Sequence, residues 1–208
     1  MKSILFDLDG TLADSSLGIK KSFAYTFKKL ALPFPEEKTL RTLIGPPLED
    51  SFRHYVNDVD TAVTIYREYY KKLGVFEAEL YPKIQELLEQ LVVNGVNLYV
   101  TSSKNEPMIY VMLKHLKIDK YFTGIYGHTP ERPNKTEVIK TCLSSEQINH
   151  QEAAIVGDTK FDIFGGKNTG IKTIGVTWGF GLESELLLAG ADYICHSPLD
   201  ILKVIEDF

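Results

Sequence analysis

A chain of 208 residues can bury one full core, or a core with a small accessory domain. With 44% apolar and 25% charged residues it has the make-up of a soluble globular protein, and no apolar run approaches the ~18 residues of a membrane span, so no membrane partner is expected. The formal net charge of -5, without a basic run or a basic–aromatic stripe, excludes a nucleic-acid surface and requires that any phosphate be met by positive charge gathered locally. Cys142 and Cys195 fit no metal-ligand spacing and read as small buried apolar residues in a reducing compartment. Met1-Lys2-Ser3 runs straight into strand residues with no signal peptide, so the expected location is cytoplasmic.

The first expected element is a strand over Ser3–Leu8, followed by the string Phe6-Asp7-Leu8-Asp9-Gly10-Thr11-Leu12-Ala13-Asp14-Ser15. Asp7 and Asp9, two apart on an extended segment, point to the same side. Like charges that close need a cation or a shared proton. The arrangement suits a site that recruits a divalent metal, with one carboxylate as nucleophile and the other as proton carrier. Gly10 lets the backbone leave the strand sharply. A plain Asp-Gly turn ending a strand is the competing reading.

From Ser15 to Leu80 no strand-like run occurs. Helical periodicity gives Leu17–Leu30, Glu36–Ile44, Leu48–Tyr55 and Asp58–Leu73, with Ile19, Phe23 and Phe27 recurring on one face of the first. Gly45-Pro46-Pro47 interrupts the pattern. An all-helical insert over residues 15–81 is therefore expected within an α/β core made of 1–14 and 82–208.

Beyond the insert, short apolar runs alternate with helical patterns, the sign of a Rossmann-like parallel sheet flanked by helices. Strands are read at Val96–Thr101, Gly124–Tyr126, Ala153–Val156, Thr173–Val176 and Tyr193–Ile194. Helices are read at Lys83–Asn94, Pro107–Leu116, Lys135–Leu143, Asp162–Thr169 and Leu199–Asp207. Ligands of such sheets sit beyond the carboxyl ends of the strands. There the strand at Val96 ends in Thr101-Ser102-Ser103-Lys104, whose hydroxyls could hold a phosphoryl oxygen or merely cap a helix. Lys135 opens a helix, a position that favours anions, so it is more plausible facing a phosphate or carboxylates. Ile155-Val156-Gly157-Asp158 brings a carboxylate to the same edge, and Asp162, four residues on, is either a second one or an N-cap.

These four motifs, in this order, resemble the haloacid-dehalogenase-like hydrolases, specifically their phosphoglycolate-phosphatase-like branch with a helical cap. The likeness runs from Ser3 to about Thr177 and thins beyond Trp178. It implies an Mg2+-dependent phosphatase acting on a small phosphorylated metabolite. Asp7 would be the nucleophile and Asp9 the acid and base. Asp7, the backbone carbonyl of Asp9, and Asp158 would hold the metal, with Asp162 in support. Thr11, Ser102, Ser103 and Lys135 would attend the phosphate, with Thr101 as the alternative to Ser102, one register earlier. Leu43–Leu48 resembles the loop that relatives lay over the active site, and Lys20 on the first cap helix is a candidate for reading the substrate. Arg132 is weighted as a surface residue. Two rivals stay open, a phosphomutase of the beta-phosphoglucomutase kind and a non-catalytic phospho-ligand binder. The natural substrate and the oligomeric state are not written in the sequence.

Overall fold

The computed structural model describes residues 2–36, 43 and 48–207. They divide into two compact units, one made of residues 1–14 and 80–208, the other of Ser15–Glu79. The second unit is helical: α1 (Ser16–Lys29), α2 (Leu48–Arg53) and α3 (Val59–Lys72). Its core is aromatic. The Phe23 ring lies 5.1 Å from that of Phe52 and 5.0 Å from that of Tyr66, and Phe27 closes the cluster, while Ile19 is half-buried. Asp58 caps α3 by accepting the Thr61 N–H at 3.0 Å. The helix expected over Glu36–Ile44 and the loop Leu43–Leu48 fall outside the described residues, except for Glu36, Leu43 and Leu48.

The other unit is built on a parallel six-stranded sheet. Its strands are β1 (Ser3–Phe6), β4 (Asn97–Asn105), β5 (Gly124–His128), β6 (Ala153–Gly157), β7 (Lys172–Val176) and β8 (Tyr193–Cys195). They lie in the order β5-β4-β1-β6-β7-β8. Two-residue strands, β2 (Ala13–Asp14) and β3 (Glu79–Leu80), mark where the chain leaves and returns. The helices are α4 (Ile84–Val93), α5 (Glu106–His115), α6 (Lys135–Ser145) and α7 (Lys160–Thr169), then the short α8 (Glu183–Leu188) and α9 (Asp200–Val204). α4 buries Ile84, Leu87, Leu88 and Leu91, one stripe at helical spacing.

The central strand fixes the position of everything that follows. Ile4, Leu5 and Phe6 are fully buried, each side chain contributing about 1.5–3 kcal/mol, because both faces and both edges of β1 are covered. In register, Phe6 lies between Val100 of β4 and Val156 of β6. One step further, Asp7, Thr101 and Gly157 therefore emerge side by side at the carboxyl edge of the sheet.

Several elements differ from expectation, among them β1, which stops at Phe6 rather than Leu8. β4 continues to Asn105, because the polar run after Thr101 still pairs, Asn105 with His128, beyond a shift in register. α8 was not foreseen: of its residues only Leu186 is buried, so no periodic apolar face announces it. The last expected helix is a five-residue α9 followed by a 3-10 turn at Ile205–Asp207. Among the described residues, no helix is long and apolar enough to cross a membrane.

Candidate active site

Asp7 stands one residue past β1, its N–H still donating to the Val156 carbonyl at 2.9 Å, so its backbone is held while its carboxylate turns into the sheet edge. Lys135, the first residue of α6, reaches it there. The Lys135 ammonium lies 2.6 Å from Asp7 Oδ1, 2.6 Å from Asp162 Oδ1 and 2.7 Å from the Thr101 carbonyl oxygen. Asn134 frees the helix start for this by taking over its capping, accepting the Glu137 N–H at 3.1 Å. Burial alone would lower the lysine's proton affinity, but Asp162 and Asp7 more than offset it, and Lys135 is held firmly as a cation.

Asp7, Asp158 and Asp162 offer carboxylate oxygens that all lie within 4.8 Å of one another, and all three residues are buried. Burial, partly countered by Lys135, pushes Asp7 up to about 6. Asp158 is pushed further, to about 8, first by burial and then by the charges of Asp162 and Asp7. Asp162 is the third residue of α7, not its N-cap. That place belongs to Thr159, whose N–H and hydroxyl both donate to Asp162 Oδ2, at 3.1 and 2.8 Å.

Asp9 goes elsewhere. The spacing of Asp7 and Asp9 suggested one strand face and one shared cation. The strand instead stops at Phe6, and the turn at Gly10 (φ 89°) gives each carboxylate its own ammonium. Asp9 is held by Lys104, whose Nζ lies 2.8 Å from Oδ2 and 3.0 Å from Oδ1. The Asp9 side chain is not one of the three buried carboxylates. Gly10 is required here for a second reason: a Cβ would stand 2.3 Å from Asp158 Oδ2.

Thr11, expected on the phosphate, is fully buried and donates its hydroxyl to Asp158 Oδ1 at 3.1 Å. The other oxygen of Asp158 accepts the Phe180 N–H at 2.7 Å, so both are gripped and the carboxylate is held in one orientation. Phe180 belongs to a loop that the sequence motifs did not reach. Its neighbour Trp178 donates Nε1–H to the Thr11 carbonyl at 3.0 Å. Gly179 and Gly181 let the loop lie flat on the site, since Cβ atoms there would meet the Gly10 and Asp158 carbonyl oxygens at 2.2 and 2.0 Å. The Trp-Gly-Phe-Gly string was the signal available for it.

Of the hydroxyls on β4, Thr101 is fully buried in line with Asp7, and its Oγ1 has no hydrogen-bond partner among the described residues. Ser102 is also buried, and its oxygen accepts the Lys104 N–H at 3.3 Å; Ser103 is exposed. Arg132 is not a surface residue. Its guanidinium pairs with Glu106 Oε2 at 2.7 Å with only 15% of the side chain exposed, bracing the loop before α6.

A buried nucleophile-type carboxylate beside a fixed ammonium, with one more carboxylate just past the adjacent strand β6 and another on α7, is equipped for phosphoryl transfer. Comparison with known proteins agrees. The haloacid dehalogenase-like hydrolase family matches the chain over residues 4–176. A 5'-nucleotidase from Pseudomonas aeruginosa is 34% identical, covering 98% of this chain and 95% of its own. A phosphoglycolate phosphatase from Aquifex aeolicus is also 34% identical, over 100% of this chain and 98% of its own. Among solved structures, a haloacid dehalogenase-like family hydrolase from Streptococcus pneumoniae superposes with a TM-score of 0.94 at 46% identity, covering 98% of each chain.

Proposed function

Since the chain belongs to the haloacid dehalogenase-like hydrolases and is a phosphatase among them, we propose that it hydrolyses a small phosphate monoester, using Mg2+, through a phosphorylated Asp7. The observation that carries this reading is the cluster of Asp7, Asp158 and Asp162 closed by Lys135 at the end of the central strand. Its donors are all oxygen, which suits a hard cation, and the proton affinities of Asp7 and Asp158 are raised first by burial and then by the neighbouring carboxylates. Asp7, Asp158 and Asp162 would hold the ion, together with the Asp9 carbonyl that the family resemblance adds. Bound Mg2+ supplies the charge that lets a phosphate dianion approach carboxylates.

Asp7 then attacks phosphorus, and Asp9 hands its proton to the leaving oxygen as the ester bond breaks. In the second half Asp9 takes a proton from the water that cleaves the aspartyl-phosphate. Lys135 keeps the Asp7 carboxylate from rotating and neutralises charge on the transferring group. Thr101, whose buried hydroxyl is unsatisfied and in line with Asp7, is the residue we assign to a phosphoryl oxygen, ahead of Ser102, with Ser103 offering its backbone amide. Thr101→Val keeps the shape and removes the donor. It should lower kcat/KM on p-nitrophenyl phosphate by about 10–100-fold, as expected for a hydrogen bond to a charged group, with Ser102→Ala within about threefold of wild type. The reverse order would return the role to Ser102.

The relatives' printed activities span a nucleotidase and a phosphoglycolate phosphatase, so the substrate is sought among small phosphorylated metabolites, with the helical unit Ser15–Glu79 acting as the cap that selects it. Screening phosphorylated metabolites with Mg2+ tests this directly, and no Mg2+-dependent release of phosphate from any ester would overturn it. Metal binding has its own signature. Asp7 and Asp158 bind protons more tightly folded than unfolded, so in chelator the protein's stability should fall as pH rises from about 4 to 8. Mg2+ must displace those protons, so the Tm increase it gives should be small at pH 5 and largest above pH 8. A Tm indifferent to Mg2+ at pH 8.5 would remove the metal from the site.

A further inference from the structure

Lys104 is a cation that the reading above leaves without a task. Its ammonium engages both oxygens of Asp9, at 2.8 and 3.0 Å, and the two side chains are only 9% and 18% exposed. Exposed ion pairs of flexible lysines are worth little, but a mostly buried, two-oxygen contact is a different object. The backbone is shaped to make it. Past Thr101 the pairing of β4 with β5 slips before resuming at Asn105, and within the slip the Lys104 N–H donates to Ser102 Oγ. Irregular pairing of this kind re-aims a side chain, and here Ser103 is turned out to solvent while Lys104 is turned towards Asp9.

We propose that Lys104 is a positioning residue for Asp9, holding its carboxyl where it meets the leaving oxygen and stabilising the charge that appears on it as the ester bond breaks. The proposal rests on the assignment of Asp9 as proton donor. In that step a bond forms from an Asp7 oxygen to phosphorus, the phosphorus–oxygen bond of the ester breaks with its electron pair going to the leaving oxygen, and Asp9's proton goes to that oxygen. The proton leaves Asp9 in this step, and an ammonium fixed on both of its oxygens holds the carboxylate that results. The advantage exists only where the leaving oxygen needs the proton. An alkoxide needs it; p-nitrophenolate, stable as an anion, scarcely does.

The experiment compares kcat/KM on p-nitrophenyl phosphate with that on an alkyl monoester turned over by the wild type, for Lys104→Met, Lys104→Arg, Asp9→Asn and the Asp9→Asn/Lys104→Met double variant. This parameter covers only the steps up to transfer onto Asp7, so Asp9's later work as a base does not enter. The ratio of the two esters within one preparation is also blind to any unfolded fraction. Lys104→Met is expected to lose about 10^2-fold more on the alkyl ester than on the aryl one, Lys104→Arg to recover part of it, and the double variant to be no more selective than Asp9→Asn alone. Equal losses on both esters with a selective Asp9→Asn, or a raised KM at unchanged kcat, overturn the proposal and make Lys104 structural or substrate-binding. An Asp9→Asn variant without ester selectivity overturns it together with the assignment of Asp9.

Discussion

Asp7→Asn is expected to bring Mg2+-dependent phosphate release from p-nitrophenyl phosphate down to background, a loss of at least about 10^4-fold, because the amide cannot form the acyl-phosphate through which the reaction runs. The substitution is nearly isosteric at a buried position, and Lys135 keeps Asp162 and the Thr101 carbonyl as partners, so the fold should survive. Trapping with radiolabelled phosphate ester and acid quench should show label on the wild type and none on the variant. Retention of more than about 1% of the activity would remove Asp7 as nucleophile.

Lys135→Met should cost the protein both stability and activity. The ammonium is buried against Asp7 and Asp162, and taking one partner out of such an assembly typically costs about 3–5 kcal/mol. Carboxylates left facing one another can escape by binding protons, so in chelator the deficit relative to wild type should be small near pH 5 and grow towards pH 8. Mg2+ should return part of it. Activity should fall by about 10^2–10^3-fold even at saturating Mg2+, since a second fixed positive charge beside the transferring phosphoryl group is lost. Denaturant titrations at the two pH values check the first part. A variant as stable as wild type at pH 8 without metal would mean that the ammonium is not what holds these carboxylates together.

The fold was largely legible because its signals are physical and local. Short apolar runs covered on both faces read as parallel strands, and the stripe Ile84-Leu87-Leu88-Leu91 reads as a packed helix. The carboxylates Asp7, Asp158 and Asp162 and the lysine opening α6 were named from their motifs, and the structure brings all four together. What stayed hidden depends on side-chain direction. Nothing in Asp-x-Asp says that the strand ends before both aspartates, so their separate partnering by Lys135 and Lys104 could not be read. Thr11 was set beside the phosphate by the family resemblance alone, and nothing in that resemblance told that its buried hydroxyl donates to Asp158, 147 residues away. Arg132 looked solvated because its partner, Glu106, lies far from it in sequence. The loop at Trp178 lies beyond the four motifs, and its hydrogen bonds run from the Trp178 indole to the Thr11 carbonyl and from the Phe180 N–H to Asp158, pairings between distant residues that sequence pattern does not encode.

The placement of β1 has a consequence for how the protein is made. Of the six strands of this sheet, β1 is synthesised before the others yet ends in its middle, and its second neighbour, β6, begins only at Ala153. Ile4, Leu5 and Phe6 must therefore wait, uncovered on one side, until the residues of β6 have been made. The last grips on the reaction centre come later still, from Trp178 and Phe180. A nascent chain stalled or cut before them would be expected to have no organised centre, so the centre can form only once synthesis has passed Phe180.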